Sequence, residues 1–356
     1  MTKSTTATIE DVASLAGVST STVSNVLNKR ESRMRADTLE RVRRAIAELG
    51  FRPNQSARRL KTGHMPMLGL LVPSIANPFF GALVRWTEEA ATARGYGVLL
   101  CNTQRSPQRE LEYARAFMAQ GVRCVIIGAP LQAQQYLAPL IENGLAAVGF
   151  DRSAVPGRMQ MDHVSLDNRR AGELAAEHLL SLGHRSIAYV SAPVDSSNRL
   201  QRLEGARQAC ARHGVVLQAH IDEGTDAHAE LELAELGRVA ARTLTSGARR
   251  ATGFVAMNDT VAIGVMAGLR DAGLRVPDDV SVVGIDDLFV GHYVSPGLTT
   301  VRQPMKAMAA AAVDRVLARL KRPDDPAHEQ IFLPEMVVRE STIRCRTIAN
   351  RRKQAA

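Results

Sequence analysis

Few residues in this chain are spaced for covalent chemistry. It has no G-x-S-x-G elbow for a serine nucleophile, no H-E-x-x-H for zinc, no Walker loop and no G-x-G-x-x-G for a dinucleotide. The nine histidines are dispersed, and His184 lies in a turn before a strand-like run, a structural place. Cys101, Cys124, Cys210 and Cys345 are scattered with no Cys-x-x-Cys, which points away from a zinc site or disulfide framework and toward a reducing compartment. No enzyme, metal or cofactor is therefore expected. What the residue types do support is binding to a polyanion. Lys and Arg number 45 against 36 Asp and Glu, a formal charge of +9. Residues 1–63 hold 12 basic and 6 acidic side chains, residues 344–356 hold five basic and none acidic, and residues 64–343 hold 28 basic and 30 acidic. A near-neutral body with two basic ends suits nucleic acid. In 344–356 no pattern accompanies the charge, so a solubilising tail accounts for it.

The elements that carry the first basic region read as three short helices. One spans about Ile9–Ala16, with Thr8 as N-cap, Asp11 in the first turn and Gly17 at the end. A second runs from Thr20 to Leu27 behind Ser19, and a third from Ala36 to Leu49, with Leu39, Val42, Ile46 and Leu49 at helical spacing. Two helices joined by a glycine-containing turn, with a third across them, form the helix-turn-helix pattern. Val12, Ala16, Val23 and Val26 read as its small core. Residues 51–66 are a linker by composition, in which 54–61 could form two helical turns only when docked.

From Met67 the texture changes to apolar strand-like runs alternating with helical ones. The runs 67–74, 95–102, 122–129 and 145–152 form one series; 186–192, 253–259 and 280–286 form a second. Near-continuous apolar strands suit parallel sheets covered on both faces, and two series mean two lobes. The longest apolar stretches fall far short of the ~20 residues of a membrane span. The polar start of the chain has no signal-peptide core, so a cytoplasmic protein is expected.

TIEDVASLAGVSTSTVSNVLN (8–28) and ELGFRPNQSARRLKTG (48–63) resemble the headpiece and hinge of the lactose-repressor (LacI/GalR) family of bacterial regulators. The resemblance continues through NPFF (77–80), FDR (150–152), LGHRSIAYV (182–190), NDTVAIG (258–264), GLRVPDDVSVVGIDD (273–287) and LTTVRQP (298–304). It implies an all-α helix-turn-helix headpiece (1–50), a hinge (51–66) and an α/β two-lobed periplasmic-binding-protein-like core with parallel sheets (67–343). The first lobe would take about 67–163 and 304–328, the second about 165–302 and 330–343, with a basic tail at 344–356. It also implies a homodimer on pseudo-palindromic operator DNA, with a small-molecule effector.

By the same resemblance Thr20, Ser21 and Asn25 read bases from a helix in the major groove, with Ser19, Thr22 and Asn28 beside them. Ser19 doubles as a helix cap. In the hinge, Asn54 caps the conditional helix and joins the DNA contacts, Ala57 and Leu60 face the minor groove, where paired leucines can wedge a base step, and Arg58 and Lys61 neutralise phosphate. MRADT (34–38) departs from the family's Val-Ser start of the third helix. The departure either weakens the cap or puts Arg35 on a phosphate.

The effector cleft implied by the resemblance holds Phe79, Phe80, Asp151, Arg152, Asn198, Arg202, Asn258 and Asp286. All the polar ones except Asn198 and Arg202 lie at or just beyond strand carboxyl ends, where ligands of such sheets bind. Acids, amides and an aromatic wall suit a sugar. Asp151 and Arg152 fit a ligand contact or an ion pair equally. Asp259 is expected to cap the helix after it, and Asp287 to be structural. A purine effector is disfavoured, because that branch has an arginine where Ser196 stands. The family's sugar members are mostly induced by their effector, which favours a sugar-induced repressor here. A corepressor-type, activating or phosphoprotein-dependent regulator, or a sugar-binding protein without DNA function, remains the alternative.

Overall fold

The computed structural model describes residues 8–27, 34–49, 67–128, 135–151, 161–193, 196–222, 230–246 and 250–345. The chain divides into two compact units, 1–65 and 66–356.

In the first unit, α1 (Ile9–Ala16), α2 (Thr20–Leu27) and α3 (Ala36–Glu48) follow the reading almost to the residue. Thr8 and Asp11 form a reciprocal capping box, with Asp11 N–H donating to Thr8 Oγ1 (3.2 Å) and Thr8 N–H to Asp11 Oδ2 (2.8 Å). Gly17 closes α1 at φ 62°, a left-handed turn that an L side chain resists. Val12, Val23 and Val42 are fully buried among Ala13, Ala16, Val26 and Ala45. These small side chains let three short helices meet closely. Leu49 does not belong to that core; it lies beyond α3 and is 36% exposed. Arg35 is the N-cap residue of α3 and makes no side-chain cap bond, so the cap is weak there.

The second unit contains two six-stranded sheets. The first has the order β11-β5-β4-β3-β1-β2, all parallel, from β1 (Met67–Val72), β2 (Gly97–Asn102), β3 (Cys124–Gly128), β4 (Ala146–Phe150), β5 (Asp162–Leu166) and β11 (Glu329–Phe332). The second has the order β12-β10-β9-β8-β6-β7, from β6 (Ile187–Ser191), β7 (Gln218–Ile221), β8 (Gly253–Ala256), β9 (Ser281–Asp286), β10 (Thr299–Arg302) and β12 (Glu335–Val337). Here only β12 runs antiparallel. Helices α4 (Pro78–Ala93), α5 (Pro107–Ala119) and α6 (Ala138–Glu142) accompany the first sheet. The second has α7 (Asn168–Ser181), α8 (Ser197–Arg212), α9 (Glu230–Leu244) and α10 (Asp259–Asp271). Helix α11 (Met305–Lys321) returns to pack on the first sheet and on α4.

Leu68, Leu70, Ile126, Val148 and Phe150 in one sheet, and Tyr189, Phe254, Val282 and Ile285 in the other, are fully buried. Burial on both faces explains why these strands are apolar without alternation. Both β5 and β11 stay with the first sheet through Leu166 and Phe332. The chain therefore changes lobe at Asp167, at Gln303–Pro304 and at Leu333–Pro334. The first and third crossings lie a few residues beyond the boundaries read from the sequence, because short mixed-polarity strands hid the true ends.

Candidate functional site

In α2, Ser19 caps the helix as expected, accepting from Thr22 N–H at 3.2 Å. Its hydroxyl also pairs with those of Ser21 (2.7 Å) and Thr22 (2.9 Å). Thr20, Ser21 and Asn25 are exposed, and Thr22 is half-buried. A groove-reading helix end presents polar side chains that stand free of the core. Asn28, Asn54, Ala57, Arg58, Leu60 and Lys61 lie outside the described residues, as does Arg152 of the cleft.

The other seven cleft residues meet in one pocket between the two sheets' carboxyl ends. Asn77, Phe79 and Phe80 enter from the start of α4, Arg105 from the turn after β2, and Asp151 from the end of β4. The second lobe supplies Asn198, Arg199 and Arg202 from α8, Asn258 beyond β8 and Asp286 at the end of β9. The remaining cavity is about 70 Å³.

Local sequence fixes each part. Asn77 caps α4 by accepting from Phe79 N–H at 2.9 Å, with Pro78 at the first helical position. This cap aims the edge-to-face pair Phe79–Phe80 (centroids 5.1 Å apart) along the pocket wall. Asp151 turns into the pocket at φ 52°. Its backbone carbonyl accepts from Asn198 Nδ2 at 2.9 Å, and its carboxylate also takes a bond from Asn198, so one amide spans the lobes. Arg202 is pinned three ways: Nε donates to Asn168 Oδ1 (2.7 Å), and Nη1 donates to the Met257 carbonyl (2.8 Å) and faces Asp286 Oδ1 at 3.5 Å. Gln303 Nε2 donates to Asp286 at 2.6 Å.

Asp259 does not cap α10. Asn258 does, accepting from Val261 N–H at 3.0 Å, so its NH2 is the part it offers the pocket. Asp259 is fully buried and accepts instead from Leu288 N–H (2.7 Å) and Thr300 Oγ1 (2.6 Å). Asp287 is structural as expected, paired with Arg302 at 2.7 Å and with Arg339. These anchors hold the turn in which Asp286 stands at φ 128° and Asp287 at φ 57°.

Burial raises the Asp286 carboxyl to about 8, against the opposing pull of Arg202. Burial likewise raises Asp151 to about 6, with Arg202, Asn168 and Asn198 pulling it back. The pocket thus combines poised acceptors, arginine and amide donors, and an aromatic wall.

Sequence reasoning missed Asn77, Arg105, Phe150, Arg199 and Met257 as lining residues, and Asn168 and Gln303 as their supports. Two of these were open to it. Asn-Pro before two phenylalanines signals a cap, and Arg199 shares a helix face with Arg202 at i, i+3. No metal-holding cluster occurs among the described residues, and no helix there is long and apolar enough to cross a membrane.

The class is set by this pairing of a helix-turn-helix unit with a two-lobed cleft. Residues 8–54 match the family described as bacterial regulatory proteins, lacI family, and residues 176–342 match the periplasmic binding protein-like domain. The chain is 34% identical over 322 residues to the ribose operon repressor of Escherichia coli K12, covering 89% of this chain and 94% of that one. The Lac repressor dimer bound to operator and the anti-inducer ONPF superposes with a TM-score of 0.81 at 27% identity, covering 95% and 100% of the two chains. A LacI family regulator from Enterococcus faecium with bound ribose gives 0.68 at 28%, covering 79% and 100%. The chain belongs to the lacI family: it is a DNA-binding transcriptional regulator with an effector-binding core.

Proposed function

We propose that this chain represses transcription as a homodimer on a pseudo-palindromic operator, and that a small sugar releases it. The observation that carries the sugar is the pocket itself. Two carboxyl groups, Arg202 and Asn258 offer the mixed acceptors and donors that vicinal hydroxyls need, and Phe79 and Phe80 offer a surface for a C–H face. The cavity is small, which favours a monosaccharide over an oligosaccharide. Ser196 caps α8 by accepting from Arg199 N–H at 3.3 Å, which leaves no cation at that position for a purine. The ribose named for the relative and bound in the neighbour makes D-ribose the first compound to try.

A thermal-shift panel of pentoses, hexoses and purine bases tests this. A monosaccharide should raise the melting temperature, and Asp286→Ala should weaken its binding by about tenfold, the loss of one buried hydrogen-bonding group. The variant should still bind DNA. Stabilisation by a purine base alone would replace the sugar with a nucleobase effector.

A further inference from the structure

We infer that Asn168 is a positioning residue for the effector cleft, and that a glycine contact between α7 and α8 sets the distance over which it acts. The inference rests on reading the pocket as the effector site. Asn168 does not line the pocket; it is the first residue of α7, just past the first lobe crossing, and is 1% exposed. Its amide is divided between the lobes. Nδ2 points to the Asp151 carboxylate (3.5 Å) and to the Leu166 carbonyl (3.3 Å), while Oδ1 accepts from Arg202 Nε at 2.7 Å. A neutral amide serves both partners, since Arg202 needs an acceptor and the Asp151 carboxylate a donor.

One turn along α7, Gly172 faces the carbonyl of Arg202 itself. A Cβ there would stand 1.9 Å from that oxygen. Gly205 on α8 faces the Arg169 carbonyl in return, with the same 1.9 Å. The two helix backbones therefore touch at the level of the Asn168–Arg202 bond. A methyl at 172 must part them by about an ångström or more, enough to carry that bond beyond hydrogen-bond range. Helices α9 and α10 make a similar contact, where a Cβ on Gly268 would lie 2.2 Å from the Arg238 carbonyl. Gly268 lies nearly three turns from the pocket end of α10, so it serves as the control.

The test reads hydrogen exchange at Arg202 Nε–H in ¹⁵N-labelled full-length protein, with no sugar present. Its signal is assigned by its loss in Arg202→Lys. Exchange should speed up at least about tenfold in Asn168→Ala and in Gly172→Ala. It should stay slow in Asn168→Asp, which keeps the acceptor, and in Gly268→Ala. Should Gly172→Ala fail to fold, the two Asn168 variants still decide. Unchanged protection in Asn168→Ala would overturn the inference, and so would equal loss in Gly268→Ala, which would mark general loosening. A chain that binds no monosaccharide would fail the sugar reading without altering this result.

Discussion

Asp286 stands at φ 128° and Asp151 at φ 52°, backbone conformations that cost an L residue energy and persist only where the surroundings enforce them. For Asp286 the enforcement comes from Asp287, held by Arg302 and Arg339, and from Asp259, which takes Leu288 N–H. The same confinement makes these acids report on pH. Asp151 and Asp259 are raised to about 6 and Asp286 to about 8, chiefly by burial, from the ordinary 3.8. The folded chain thus keeps protons that the unfolded chain releases, and the core loses stability as pH rises between about 4 and 8. His178 and His184, lowered from 6.5 by burial, act in the opposite direction below that value. From pH 6.5 to 8 the fall is therefore assigned to Asp286. The melting temperature should drop over that interval in the wild type and stay nearly flat in Asp286→Asn; equal slopes in both would remove Asp286 as the cause.

At the scale of elements, the weak start of α3 is the feature most open to improvement. Arg35 caps nothing, so Arg35→Ser should stabilise the headpiece by about 1 kcal/mol, and Thr8→Ala should cost about as much by breaking the capping box on α1. Thermal unfolding of the headpiece followed by circular dichroism would show the two shifts with opposite sign. The sequence announced α1, α2 and seven strands because each is written locally, in caps or in apolar runs that, β2 apart, are largely buried on both faces. Apolar patterning did not announce β5, β7 and β10–β12, whose sequences DHVSL, QAHI, TTVR, EQIF and EMV mix polar and apolar residues. Several of their polar side chains are matched by distant partners. Asp162 is paired with Arg319 at 3.0 Å, and Thr300 donates to Asp259. The site divides in the same way. Cleft residues at strand ends were legible from topology and resemblance, but the cap of α10 falls on Asn258 and not on Asp259. Asn168 was invisible, because only the approach of α7 to α8 makes it matter.

The whole molecule joins a basic helix-turn-helix unit to a core that carries the cleft, within the residues of one chain. A fragment of residues 66–356, one of the two compact units, should keep the sugar-induced rise in melting temperature and lose DNA binding. Retention of operator affinity by that fragment would move the DNA site into the core. DNA binding by the full chain should weaken steeply with salt, since phosphate contacts release counterions. Coupling between the two ends requires the sugar to favour one core conformation over another by a few kcal/mol. Its most direct test is a fluorescence anisotropy titration of operator DNA, selected from the chain's own promoter region, with and without the stabilising monosaccharide. The account predicts that saturating sugar raises the Kd for DNA by about tenfold or more, and that Asp286→Ala binds the same DNA but needs about tenfold more sugar for the same effect. An unchanged or lower Kd in the presence of sugar would contradict it.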